Sequence, residues 1–238
     1  MKIAIIGSSG AIGSAFVRHY MQSEQSHEIH TFSRKPEVID AENRFHHLID
    51  YADETTIHDA ALSAYQGTSF DYVIVATGIL HDGNGLQPEK SLRDLSADKF
   101  QMIFDANVVF PALAAKHFLP LLHKEKRAVF AALSARVGSI SDNQIGGWYA
   151  YRASKAALNM IIKNASIEMS RRYSQAVIVG LHPGTVDSDL SKPFQNHVQK
   201  DHLFTADFAA QKLATVLNNL SEQDSGKCFA WDGQEILP

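Results

Sequence analysis

The sequence holds one cysteine, Cys228, so no internal disulfide can form and the fold must rest on its core, as suits a reducing compartment. Long apolar runs are missing too. No stretch approaches the ~18 residues of a membrane span, and the opening Met1-Lys2-Ile3-Ala4-Ile5-Ile6-Gly7 is too short for a secretory core. The expectation is a cytoplasmic chain with no membrane partner. Basic clusters are absent: 22 Lys and Arg stand against 26 Asp and Glu, a net charge of -4, which disfavours nucleic acid as a partner. Twelve histidines occur, yet they are scattered, without HExxH or Cys-x-x-Cys spacing, so no metal is expected. No repeat, charge block or low-complexity linker divides the 238 residues. A chain of this length fits one core, and a single domain over 1–238 is expected.

What is present is 45% apolar and 20% charged residues, the balance of an ordinary globular protein. Short apolar runs alternate with longer amphipathic ones. The pattern predicts strands at Lys2 to Gly7, Glu28 to Ser33, Phe45 to Ile49, Tyr72 to Thr77, Ala128 to Leu133, Val177 to Leu181 and Cys228 to Trp231. It predicts helices at Ala11 to Gln22, Glu54 to Tyr65, Ala97 to Leu122, Tyr149 to Arg172 and Ala206 to Leu220. Alternating β and α with strands apolar on both faces means βαβ units and a doubly wound α/β sheet of about seven parallel strands. Ligands in that architecture bind beyond the carboxyl ends of the strands, so chemistry is sought in the loops there.

The first such loop is Gly7-Ser8-Ser9-Gly10-Ala11-Ile12-Gly13. Its glycines permit a tight turn and close approach to a diphosphate, which the N-terminus of the following helix would receive with free N–H groups. The second strand ends at Ser33-Arg34-Lys35, without the carboxylate that grips a ribose 2'-hydroxyl in NAD sites; Arg34 suits a 2'-phosphate and favours NADP(H) over NAD(H). Asp50, after the third strand, either receives the adenine amino group or starts a turn. Tyr151 and Lys155, four apart in a helical pattern, share one face. A free phenol has a pKa near ~10, and an ammonium ~4 Å away offsets about 4 kcal/mol at an effective dielectric of 20, enough to bring it toward neutrality.

Together these segments resemble the short-chain dehydrogenase/reductase family over essentially the whole chain. Gly7 to Gly13 resembles its cofactor loop, Tyr151-x-x-x-Lys155 its catalytic pair, Asn107 its central helix asparagine, and His182-Pro183-Gly184-Thr185-Val186-Asp187-Ser188 its nicotinamide loop. The runs Ala132 to Ile140, Gly146 to Tyr151 and Ser225 to Gly233 resemble its C-factor-like branch. The resemblance implies a Rossmann-type fold and an NADP(H)-dependent oxidoreductase acting on a small carbonyl or alcohol. Tyr151 would be the acid/base, Lys155 would tune it and hold the nicotinamide ribose, and Asn107 would anchor a water. Ser9, Gly10, Ile12, Gly78, Pro183, Gly184, Val186 and Ser188 would touch the cofactor. It also implies a homodimer or homotetramer. Where the family has Ser-Ser-x-x-Gly, this chain reads Ser134-Ala135-Arg136-Val137-Gly138: either Ser134, favoured for its place at the strand end, or Ser139 supplies the hydroxyl that orients the substrate oxygen, or it is missing. A second departure is Val75-Ala76-Thr77-Gly78, which keeps the glycine after the fourth strand and loses an amide. A cofactor-binding signalling protein with little turnover is the alternative reading. Substrate contacts are expected from Ile79 to Gly85, from Ile140 to Trp148 and from a Ser188 to Phe204 lid, with Trp148, Ile140 and Phe194 as apolar walls and His81 as a surface residue.

Overall fold

The computed structural model describes residues 1–238 apart from Asp40, Asn84 and Val198; these three, two of them in expected substrate loops, lie outside the described residues. Eight strands form one sheet in the order β10-β9-β6-β5-β4-β1-β2-β3. They are β1 (Lys2–Ile6), β2 (Glu28–Ser33), β3 (Arg44–Leu48), β4 (Tyr72–Val75), β5 (Ala128–Leu133), β6 (Ala176–His182), β9 (Cys228–Ala230) and β10 (Glu235–Ile236). A second sheet is the short parallel pair β7 (Thr185–Val186) and β8 (Leu203–Phe204). The helices are α1 (Ala11–Met21), α2 (Glu54–Tyr65), α3 (Ala97–Phe104), α4 (Phe110–Phe118), α5 (Tyr149–Met169) and α6 (Ala206–Asn219).

Alternation along each strand divides the core. Ile3, Ile5, Ile74, Val129 and Val177 face one way, against Phe16, Val17, Leu213 and Leu217 of α1 and α6. Ala4, Ile6, Val73, Phe130 and Ile178 face the other way, against Ile57, Phe110, Phe118, Leu158 and Ile162 of α2, α4 and α5. Successive side chains of a strand point to opposite faces, so a run apolar at every position is buried on both. The chain winds outward from β1 to β3 and then returns to β4 on the other flank of β1. That reversal opens a crevice at the carboxyl ends of β1 and β4.

Two elements differ from expectation. The sheet is mixed, because after β9 the chain turns at Gly233 (φ +86) and pairs back antiparallel as β10, a strand too short to read from sequence. The expected single helix from Ala97 is continuous to Leu121 but carries a wider π turn over Asp105–Val109. Pro111 explains it: proline has no N–H to give the Asn107 carbonyl four residues back, and its ring crowds that oxygen. By length and composition Ala97–Leu121 is also apolar enough to cross a membrane, with mean hydropathy 1.2, which the reading of apolar runs missed. Half of that window is buried within the fold, where α4 supplies Phe110, Ala114 and Phe118 to the core.

Candidate active site

The loops leaving β1, β4, β5 and β6 enclose a cavity of about 530 Å³. Behind β1, Gly7 holds a left-handed φ of +87, and a Cβ there would lie 2.8 Å from Thr77 Cγ2. A Cβ on Gly13 would lie 2.1 Å from the Gly7 carbonyl oxygen. These two glycines let α1 close on β1 and do not line the cavity, whereas Ser9, Gly10 and Ile12 do. Gly10 is the N-cap of α1, with no side-chain cap and no acid in the first turn, so the positive helix end faces the cavity. Ser8 points away, donating to Glu37 Oε1 at 2.9 Å, and that carboxylate is paired with Arg44. Glu37, a carboxylate beside the glycine loop, was not found from sequence because it stands four residues past the end of β2.

Besides Gly7 and Gly13, two more expected cofactor residues stand outside the cavity. Arg34 is exposed, its guanidinium 4.9 Å from the Tyr51 ring centroid. The Asp50 carboxylate accepts from Ala52 N at 3.0 Å, starting the turn that leads into α2.

Tyr151 and Lys155 line the cavity together with Gly78, Ser134, Pro183, Gly184, Val186 and Ser188. Asn107 is wholly buried behind it. Its Oδ1 accepts from Ile79 N (2.8 Å), while its Nδ2 donates to Ile79 O (2.9 Å) and Ser154 Oγ (3.1 Å), tying the loop after β4 to α5. A Cβ on Gly78 would lie 3.3 Å from both Asn107 Oδ1 and Lys155 Nζ, so a side chain there would push these groups apart by a few tenths of an ångström. The electrostatics differ from the sequence argument. Lys155 Nζ donates to Leu133 O at 2.9 Å and lies 5.7 Å from the Tyr151 ring centroid. Burial pushes the Tyr151 phenol up to about 12 and Lys155 down to about 8. Desolvation of both groups outweighs their attraction, so the phenol is a protonated donor at neutral pH.

Neither candidate for the missing serine hydroxyl faces the cavity freely. Ser134 lines it, but its Oγ donates to Asn159 Oδ1 at 2.6 Å. Ser139 is buried, accepts from Asp142 N at 3.1 Å and does not line the cavity. Ala135 occupies a place on the cavity wall.

The apolar walls are partly as expected. Trp148 and Phe194 line the cavity, their ring centroids 5.0 Å apart. Ile140 instead turns outward, 78% exposed. His81 is not a bare surface residue: Nε2 donates to Asp189 O (3.0 Å) and Leu190 O (3.1 Å) and the ring meets Phe194 edge-on. It latches the 188–204 segment, whose far end is fixed by β8 pairing with β7.

A device absent from the sequence reading sets Trp148 in place. Gly146, Gly147 and Trp148 are left-handed in succession, with φ of +70, +65 and +52. Trp148 N donates to Glu89 O at 2.6 Å, and the buried Glu89 carboxylate accepts from Ala150 N at 3.2 Å. The carboxylate thus caps α5 one residue before Tyr151, and the double glycine was the signal that could have revealed the turn. Glu89→Ala is expected to cost about 1 kcal/mol, a fall in Tm of about 2–4 °C for this chain length. Glu89→Gln, which keeps an acceptor, should recover most of it in thermal melts.

The residues fit a nicotinamide dinucleotide. The uncapped α1 end, through Ser9, Gly10 and Ile12, lines the same cavity as Tyr151 and Lys155. On the same lining Thr77 Oγ1 is buried without a partner among the described residues.

Comparison with known proteins agrees. The family model described as short chain dehydrogenase matches residues 1–199. The C-signal protein of Myxococcus xanthus is 32% identical over 146 residues, covering 61% of this chain and 82% of that protein. The 1-hydroxy-2-glutathionyl-2-methyl-3-butene dehydrogenase of Rhodococcus sp. strain AD45 is 30% identical over 175 residues, covering 73% and 71%. Among solved structures, the NADPH-bound carbonyl reductase from chicken fatty liver superposes with a TM-score of 0.85 at 24% identity, over 100% of this chain and 98% of that one. Carbonyl reductase Sniffer of D. melanogaster gives 0.86 at 22%, over 100% and 99%. These last two likenesses establish the shared fold, and the sequence match over residues 1–199 establishes more: the chain belongs to the short chain dehydrogenase family of NAD(P)-dependent oxidoreductases.

Proposed function

We propose that this protein reduces a small aldehyde or ketone with NADPH, Tyr151 giving the proton. The observation that carries the reading is the Tyr151 phenol, held by α5 beside Lys155 on the wall of a cavity that Ser9, Gly10 and Ile12 of the glycine loop also line, where burial raises the phenol to about 12. When bound, the nicotinamide supplies hydride chemistry. The chain's own part is placement: Trp148 and Phe194 exclude water, Lys155 is held by Leu133 O where a ribose would lie, and Asn107 fixes the loop bearing Gly78 and Ile79. The carbonyl reductases that share the fold support the same reading. The test is loss of nicotinamide absorbance over a panel of aldehydes and ketones. A protein that binds NADPH and turns over nothing on the panel would favour the alternative, a cofactor-binding signalling protein.

The preference for NADPH is inferred from Arg34, since Ser33 is buried and hydrogen-bonded to Lys35 and Glu37 is already paired with Arg44. A charge-assisted bond contributes about 1.5–3 kcal/mol, so Arg34→Asp is expected to raise the KM for NADPH about tenfold or more and to leave NADH little changed. An unaltered NADPH KM would remove the preference. A homodimer or homotetramer is inferred as well: Met102, Val109, Met160 and Ile167 of the α3–α5 layer are 45%, 46%, 59% and 49% exposed.

A further inference from the structure

We propose that His182 donates the hydrogen bond to the substrate's carbonyl oxygen that the family's second serine would otherwise give. The inference rests on the carbonyl-reductase reading and extends it to a residue that this chain uses in place of a missing one.

The vacancy in the chemistry is specific. Ala135 brings a methyl group to the cavity wall, and the neighbouring hydroxyls are committed: Ser134 to Asn159, Ser139 to the Ser141–Asp142 turn, Ser188 and Ser191 to Val186 O. The Asn107 amide is held by Ile79 and Ser154. His182 is different, lining the same cavity as Tyr151 while its Nδ1 is buried and unpartnered among the described residues; the Thr77 hydroxyl shares that condition but lies against the glycine loop, its Cγ2 packed beside Gly7. A buried polar atom without a partner costs about 1–3 kcal/mol, and such atoms persist where a ligand completes them.

Register places the ring where the donor is needed. Leu133 of β5 pairs with Leu181 of β6, and Ser134 N donates to Leu181 O at 2.8 Å. The next residues on the two strands are therefore side by side, Ser134 against His182, and because Leu133 and Leu181 face α1 and α6, alternation puts both of these side chains on the face that α5 covers. Ser134 meets α5 through Asn159. His182 is thus adjacent to the strand end at which Ala135 replaces serine.

Its protonation suits the role. Burial, helped by Arg136 and opposed by Asp232, lowers His182 to about 4, so the imidazole is neutral at working pH and keeps one N–H donor and one acceptor. A neutral imidazole donates without losing its proton. Hydride adds to the carbonyl carbon, the C=O π pair moves to oxygen, and the Tyr151 proton neutralises that oxygen while the His182 N–H stays bonded to nitrogen.

The test uses the full-length protein with NADPH and an aldehyde that the wild type reduces. His182→Ala is expected to lower kcat by ~10² while NADPH fluorescence titration and Tm stay as in the wild type. Adding Ala135→Ser to that variant should restore activity to within about tenfold of wild type, because the hydroxyl returns at the family's position. Ala135→Ser alone should change kcat by less than about threefold. An active wild type whose His182→Ala variant stays within about threefold overturns this donor and leaves the carbonyl-reductase reading intact. A gain of ~10² from Ala135→Ser alone likewise overturns it, even if His182→Ala does not fold, since it would mean that no donor is present. A wild type that binds NADPH and reduces nothing removes both.

Discussion

Tyr151→Phe is expected to lower kcat for carbonyl reduction by ~10² to 10⁴, the range that a positioned general acid contributes, with the affinity for NADPH unchanged. Tyr151 OH has no hydrogen bond among the described residues, so its removal breaks no contact that the fold requires, and Tm should hold or rise. The pH profile separates a chemical role from a structural one. Burial holds the phenol up at about 12, so the acid is protonated throughout the neutral range and reduction should be flat with pH until Lys155, near 8, begins to lose its proton. Oxidation of an alcohol needs the phenolate and should climb as pH rises toward 10. A reduction rate that instead fell as a group near pH 7 lost its proton would mean that the Lys155 ammonium does tune the phenol as sequence spacing suggests, against the burial that dominates here. The stability signs follow from the same shifts. Lys155 binds its proton less readily folded than unfolded, so its contribution to stability improves as pH rises from about 8 to the free lysine value; Tyr151 binds its proton more tightly folded, so its contribution falls above the free phenol value of ~10.

Gly13→Ala is the second large effect, expected to destabilise by about 3 kcal/mol or more, a fall in Tm of several degrees, with NADPH binding lost alongside. The added Cβ would sit 2.1 Å from the Gly7 carbonyl oxygen and 2.8 Å from its carbon. Neither can yield, since Gly7 N donates to Phe32 O at 2.8 Å and its carbonyl accepts from Gly10 N at 3.0 Å. Gly10→Ala is the control that divides fold from ligand. There the nearest atom is 3.4 Å away, so the fold should tolerate the methyl group, and because Gly10 lines the cavity the loss should appear in cofactor affinity. Melting curves and NADPH titrations of both variants give the comparison; equal Tm for Gly13→Ala and wild type would refute the packing argument.

Much of this was legible in the order of residues. The β-rich runs, the spacing of Tyr151 and Lys155 and the glycines from 7 to 13 are local patterns, and local patterns fix period, face and turn. The doubly wound architecture, the approximate limits of α1, α2, α5 and α6 and the crevice at the strand ends follow from them. Three decisions belonged to the tertiary structure. Whether Lys155 lowers the phenol or burial raises it depends on how deeply both groups are enclosed, which no spacing encodes. Whether Ser134 is free depends on Asn159, 25 residues further on, meeting it across the β5–α5 contact. Glu89 and Trp148, 59 positions apart in the sequence, become a cap and its turn only when the loop after β4 is laid against α5. Each of these is a contact or a dielectric boundary between segments distant in the chain; periodicity reports on neighbours, whereas desolvation and hydrogen-bond commitment are set by what the fold brings from elsewhere.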